Sequence, residues 1–107
     1  MKLIIAILTT SDSSALSKAL TESGIGVTKL ATTGGFLKQG NTTLLMGVAD
    51  EKVDEVMSLI KKYSGKRTKM QPVHNVSAYP SVAPAAIETT VGGATVFITD
   101  IERFEKL

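Results

Sequence analysis

The chain has no cysteine and no tryptophan, and a single histidine among its 107 residues. Without cysteine, neither a disulfide framework nor a thiolate metal site can form. The one histidine, His74, falls in an irregular stretch and reads as a solvated residue rather than a catalytic base or ligand. Net charge is also small: 12 basic against 10 acidic residues leave +2, too little to argue for polymeric nucleic acid as a partner. No apolar run approaches the roughly 20 residues of a membrane span. The run Leu3 to Leu8 follows a lysine, as in a signal peptide, but it is short and lacks a cleavage region, so it reads as a buried strand. The expectation is a cytoplasmic protein without a membrane partner, in which the sequons at Asn41 and Asn75 carry no sugar. This length supplies one core, hence a single domain over residues 1–107.

Catalytic signals are equally sparse. Ser64-Gly65-Lys66-Arg67 brushes against a phosphate-binding loop, but the upstream glycine and downstream Ser/Thr are missing. Asp50, Glu51, Asp54 and Glu55 cluster at the start of a helix, where they suit caps and the positive end of the dipole. No nucleophile–base pair or metal-ligand spacing is present. The reading is therefore a binding protein rather than an enzyme, with no cofactor.

Periodicity orders the elements β-α-β-β-α-β. Lys2 to Leu8 is the first strand. Ser11 or Asp12 can cap a helix whose apolar face is Ala15, Leu16, Ala19 and Leu20, ending at Gly24. A hairpin supplies strands two and three. Asp50 is a suitable cap for the second helix, in which Val53, Val56, Met57 and Ile60 recur at helical spacing and Gly65 ends the run. Ala94 to Ile98 is the fourth strand, followed by a short amphipathic tail. Right-handed crossovers then predict an α+β, ferredoxin-like βαββαβ sandwich: a four-stranded antiparallel sheet with two helices on one face.

Such a sheet should turn a polar second face to water. Here it does not: the first strand is apolar on both parities, with Leu3, Ile5 and Ile7 against Ile4, Ala6 and Leu8. Exposed apolar patches of that size mark interfaces. Either other copies of the chain cover this face, or the segment 64–92 folds over it. That segment is the second anomaly. It holds all three prolines and no sustained period, and reads as a long flexible loop. Lys61, Lys62, Lys66, Arg67 and Lys69 at its start can attract phosphate, although a solvated helix end is the commoner arrangement.

The richest stretch is Thr28 to Thr43, TKLATTGGFLKQGNTT. Two strand-like runs flank a Gly- and Asn-rich break, the pattern of a hairpin. Phe36 and Leu37 lie near its tip, where a purely structural hairpin gives them little to pack on. Gly34, Gly35 and Gly40 allow close backbone approach. The stretch is either docked on a neighbour or wrapped around a ligand. Glycine-rich N–H groups can cradle an anion, Phe36 offers a face to a base, and the Asn41 amide offers both a donor and an acceptor.

This stretch, together with MKLIIAI, GVADEKVDEVMSLI and VGGATVFI, resembles the PII-like cyclic-di-AMP receptor family in order and spacing. The resemblance implies a PII-like homotrimer that binds cyclic-di-AMP between subunits and signals to a downstream protein. By residue, it implies ligand contacts at Thr28, Gly35, Phe36, Leu37, Asn41, Gly47 and Phe97. The chain departs from the family pattern at Gly24 and Gly26, where an asparagine and an arginine stand, and at Lys106, where a glutamine stands. Two alternatives stay open: a protein–protein regulator acting through the 64–92 loop without a small ligand, or a receptor for another adenine nucleotide.

Overall fold

Alternating parity in β1 (Lys2–Thr9) buries Ile4, Ala6 and Leu8 on one face of a sheet. The computed structural model describes residues 1–30, 40–72 and 86–107, and side chains within these outside 69–72 and 86–89. After β1 the chain enters α1 (Thr10–Glu22), then β2 (Thr28–Leu30) and β3 (Asn41–Val48). A single 3-10 turn (Asp50–Lys52) leads into α2 (Val53–Ser64). Two further strands follow, β4 (Arg67–Pro72) and β5 (Ala86–Val91), before β6 (Ala94–Asp100) closes the main sheet.

That sheet has four strands in the order β2-β3-β1-β6, with every neighbouring pair antiparallel. The overall class is thus α+β, with a four-stranded antiparallel sheet and two helices. Both helices cover the same face. Leu16 and Leu20 of α1 and Val56 and Ile60 of α2 pack on Ile4, Ala6 and Leu8 and on Leu44, Met46 and Val48 of β3, all buried. Each fully buried aliphatic side chain of this kind contributes about 1.5–3 kcal/mol.

Helix α1 ends in a Schellman arrangement. Ile25 N–H donates to Leu20 O (2.9 Å) and Gly24 N–H to Thr21 O (3.0 Å), with Gly24 at φ +80°. This is the left-handed position that glycine fills best and asparagine next.

Several local expectations are corrected. The buried stripe of α1 runs through Ser13, Leu16 and Leu20, whereas Ala15 is exposed and Ala19 half-buried. Ser13 tolerates burial because its hydroxyl donates to Thr10 O at 2.7 Å. The cap is Thr9, whose Oγ1 accepts from Asp12 N–H, and not Ser11 or Asp12. Asp50 caps nothing with its side chain; its carboxylate pairs instead with the Met1 ammonium at 2.8 Å. The segment 64–92 is not loop throughout, because β4 and β5 form an antiparallel pair from Arg67↔Val91 to Pro72↔Ala86. Pairing between the two arms supplies the order that neither arm's composition announces.

No helix among the described residues is long and apolar enough to cross a membrane.

Candidate functional site

The face of the sheet opposite the helices carries the candidate residues. Cross-strand register places Thr28, Leu45, Ile5 and Phe97 in one row. The adjacent row holds Leu30, Thr43, Ile7 and Thr95, and the row on the other side Gly47, Leu3 and Thr99. Residues opposite one another in a ladder share a face, so Thr28, Gly47 and Phe97 look out from one surface. Strand parity puts Asn41, the partner of Thr9, on it too. Adjacent strands lie about 4.8 Å apart, so the row from Thr28 to Phe97 spans roughly 14 Å.

This face is apolar and incompletely covered. Leu3, Ile5, Ile7 and Leu45 are half-buried, and Phe97 is 49% exposed. Part of the cover comes from the residues after β6: Ile101 Cδ1 lies 3.7 Å from where a Cβ on Gly47 would sit. Thr43 Oγ1 is buried here without a hydrogen-bond partner among the described residues.

The expected site residues do not converge on one point. Asn41 and Gly47 lie at opposite ends of β3, roughly 20 Å apart at about 3.3 Å per residue. Gly35, Phe36 and Leu37 fall outside the described residues.

Two clefts flank the face. At the Gly47 end, a cleft of ≈ 180 Å³ is lined by Ser23, Gly26, Gly47 and Lys52, among others. At the Asn41 end, a polar cleft of ≈ 370 Å³ is lined by Thr9, Asn41, Lys66, Gly92, Gly93 and Thr95, with Ile7, Leu8 and Ala94 behind them. Gly92 and Gly93 adopt φ of 82° and 93°, conformations that L side chains rarely enter. A groove of ≈ 650 Å³ lies elsewhere among the described residues, between α2 and β6 against Met57, Ile60, Ala94 and Val96, and includes none of the expected residues. Its lining is what two packed apolar elements leave open at a sheet edge, so it does not displace the open face as the candidate site.

The Asn41 cleft is anchored by an ion pair. Arg67 Nη2 donates to Asp12 Oδ1 at 2.7 Å and Nη1 to Oδ2 at 3.3 Å. Asp12 is buried at the first turn of α1. The guanidinium hydrogen bond holds its carboxyl below the usual carboxylate range against the opposing effect of burial, with the Thr9 hydrogen bond assisting.

Sequence reasoning missed Thr9, Lys66, Gly92, Gly93 and Thr95 as neighbours of Asn41. The usable signal was the pair Gly92-Gly93 immediately before a strand, which marks close approach of another chain segment. Among the described residues no cluster of His, Cys, Asp or Glu is arranged to hold a metal ion.

The domain is thus α+β, with a half-covered apolar sheet face that ends in glycine-walled clefts. The chain belongs to the cyclic-di-AMP receptor family, whose model matches residues 1–107, and that membership supports nucleotide binding. A similar crystal structure is that of a functionally unknown protein from Pediococcus pentosaceus ATCC 25745, 39% identical. The match covers 99% of this chain and 96% of that one, with a TM-score of 0.80.

Proposed function

We propose that this chain is a single-domain, PII-like receptor of ferredoxin-like βαββαβ topology that binds cyclic-di-AMP at the intersubunit clefts of a homotrimer. It acts in the cytoplasm, without catalysis or a cofactor. It relays occupancy to a downstream protein through the conformation of the segment 64–92. Thr28, Asn41, Gly47 and Phe97 contact the ligand from the open face, and Gly35, Phe36 and Leu37 complete the site.

The observation that carries this reading is the geometry of the open face. Thr28, Gly47 and Phe97 share it with half-covered Leu3, Ile5 and Leu45, a surface that association with like copies would cover. Asn41 and Gly47 stand too far apart to grip one compact ligand within one protomer, so a site shared between protomers accommodates both. The strand order β2-β3-β1-β6 supports the ferredoxin-like assignment.

Calorimetric titration with cyclic-di-AMP tests the reading, with cyclic-di-GMP, ATP and AMP as controls and sedimentation equilibrium on the same sample. Saturable binding of one cyclic-di-AMP per protomer by a trimer is the expected result. A stable monomer at micromolar concentration overturns the intersubunit site, and a preference for a control nucleotide overturns the ligand.

A further inference from the structure

The first turn of α1 touches both segments on which that function depends. Thr10 N–H donates to Gly40 O at 2.7 Å, and the Thr10 and Thr42 hydroxyls lie 2.8 Å apart. These contacts hold the end of the hairpin 28–43 where it enters β3. Two residues further on, Asp12 takes the bidentate grip of Arg67, the first residue of β4. Arg67 Nη1 also donates to Gly65 O at 3.1 Å, so one side chain ties the exit of α2, the start of β4 and the entry of α1 together.

Glycine makes room for this clasp. A Cβ on Gly92 would lie 2.5 Å from Arg67 Nη1 and 2.8 Å from Gly65 O, so any side chain there would collide with the guanidinium. A Cβ on Gly93 would lie 3.0 Å from Lys66 Cγ and 3.4 Å from its Cε. The stem of Lys66 therefore runs along the bare backbone of Gly93, and Lys66 is part of the wall of the Asn41 cleft. Lys66 forms no ion pair among the described residues.

We propose that Arg67 is a positioning residue: by clasping Asp12 it seats the base of the β4–β5 hairpin on α1 and holds the Lys66 ammonium at the polar cleft beside Asn41, where it meets a phosphate of the bound nucleotide. This rests on the reading of the chain as a nucleotide receptor. The division of labour follows from the two cations. The planar guanidinium fork matches a carboxylate bidentately and fixes geometry, whereas an ammonium is a compact charge suited to a phosphate oxygen. A lysine adjacent in sequence to a clamped arginine, with its stem laid against a glycine, loses less freedom on binding than one on a mobile chain.

Calorimetry with cyclic-di-AMP on the full chain, at several salt concentrations, tests it with Lys66→Ala, Arg67→Ala, the double variant and Asp12→Asn. Lys66→Ala should lose roughly ten- to a hundredfold in affinity, the range of one charge-assisted hydrogen bond, and flatten the salt dependence. Arg67→Ala and Asp12→Asn should lose affinity in the same way, although neither touches the ligand, and the double variant should be no weaker than Lys66→Ala alone. Wild-type affinity in Lys66→Ala, or additive losses in the double variant, overturns the proposal. Should Arg67→Ala fail to fold, Asp12→Asn and Lys66→Ala decide between the same outcomes.

Seating is read separately, without ligand, by amide hydrogen exchange at Thr90 and Val91. Faster exchange in Arg67→Ala is expected, and equal protection overturns the seating. A wild type that binds no nucleotide refutes the receptor reading instead, and exchange alone then judges the clasp.

Discussion

Replacing Phe97 with alanine separates what the open face contributes to one protomer from what it contributes to assembly and ligand binding. Phe97 stands in the row with Ile5, Leu45 and Thr28 and is 49% exposed. A phenylalanine side chain of about 200 Å² therefore has roughly 100 Å² covered within the protomer, worth about 2.5 kcal/mol at about 25 cal/mol per Å². A second share of similar size becomes covered only when another copy or an adenine ring lies on the face. Phe97→Ala should then lower the unfolding free energy of the protomer by about 2.5 kcal/mol and weaken association or ligand binding by a similar amount, roughly 50- to 100-fold. Urea unfolding reads the first quantity; sedimentation equilibrium and calorimetry read the second. A variant that loses stability but keeps wild-type trimer dissociation and wild-type cyclic-di-AMP affinity would refute the assignment of this face to assembly or ligand.

Three further outcomes follow from the same structure. Gly26 lacks a left-handed φ and has open space where a Cβ would sit, so Gly26→Arg should fold normally and tighten cyclic-di-AMP binding at the Gly47 cleft; unchanged affinity in a folded variant rules out a phosphate there. Phe36→Ala should weaken binding by about 1–3 kcal/mol through lost stacking, and a folded variant with unchanged calorimetry removes Phe36 as the base-binding residue. The third concerns acid stability. Because the Arg67 hydrogen bond depresses the folded-state pKa of Asp12, its stabilisation is present above the unfolded carboxylate value of about 3.9 and is lost as pH falls through the folded value. Asp12→Asn should thus be less stable than wild type near pH 7, and the gap should close below about pH 4; urea melts showing an equal gap at pH 3 contradict this.

The parts of the fold that were legible in sequence are those whose burial repeats. Leu3 to Leu8, Leu44 to Val48 and Ala94 to Ile98 are β-rich runs, and each forms a strand of the main sheet. The double apolar parity of β1 also announced that its second face would want a cover. What the sequence hid depends on contacts between distant residues. Arg67 to Pro72 is charged and polar, and it becomes a strand only by pairing with Ala86 to Val91. Alanine content drew the apolar stripe of α1 toward Ala15, whereas Ser13 is buried in its place because its hydroxyl satisfies a local carbonyl. Asp50 had the right chemistry for a cap and a nearer cation to pair with. For the site, Thr28, Gly47 and Phe97 were named through the family resemblance alone, and it is the cross-strand register of the sheet that puts them on one face. The meeting of Asn41 with Lys66 and Gly92 has no periodic signature, since it arises only when α2 and β6 pack on the core.

The sheet order also fixes a sequence of events in folding. β1 is the first strand in the chain, and it lies between β3 and β6, the last. Its register with β6 runs from Lys2↔Asp100 to Leu8↔Ala94, so closing the sheet joins residues separated by almost the whole chain. Such non-local pairing is slow because loop-closure entropy must be overcome before the contact rewards it. Until residues 94–100 emerge from synthesis, β1 has one open edge, and that edge belongs to a strand apolar on both sides. A nascent chain in that interval carries a ready template for pairing with another strand, and the arrival of β6 removes it.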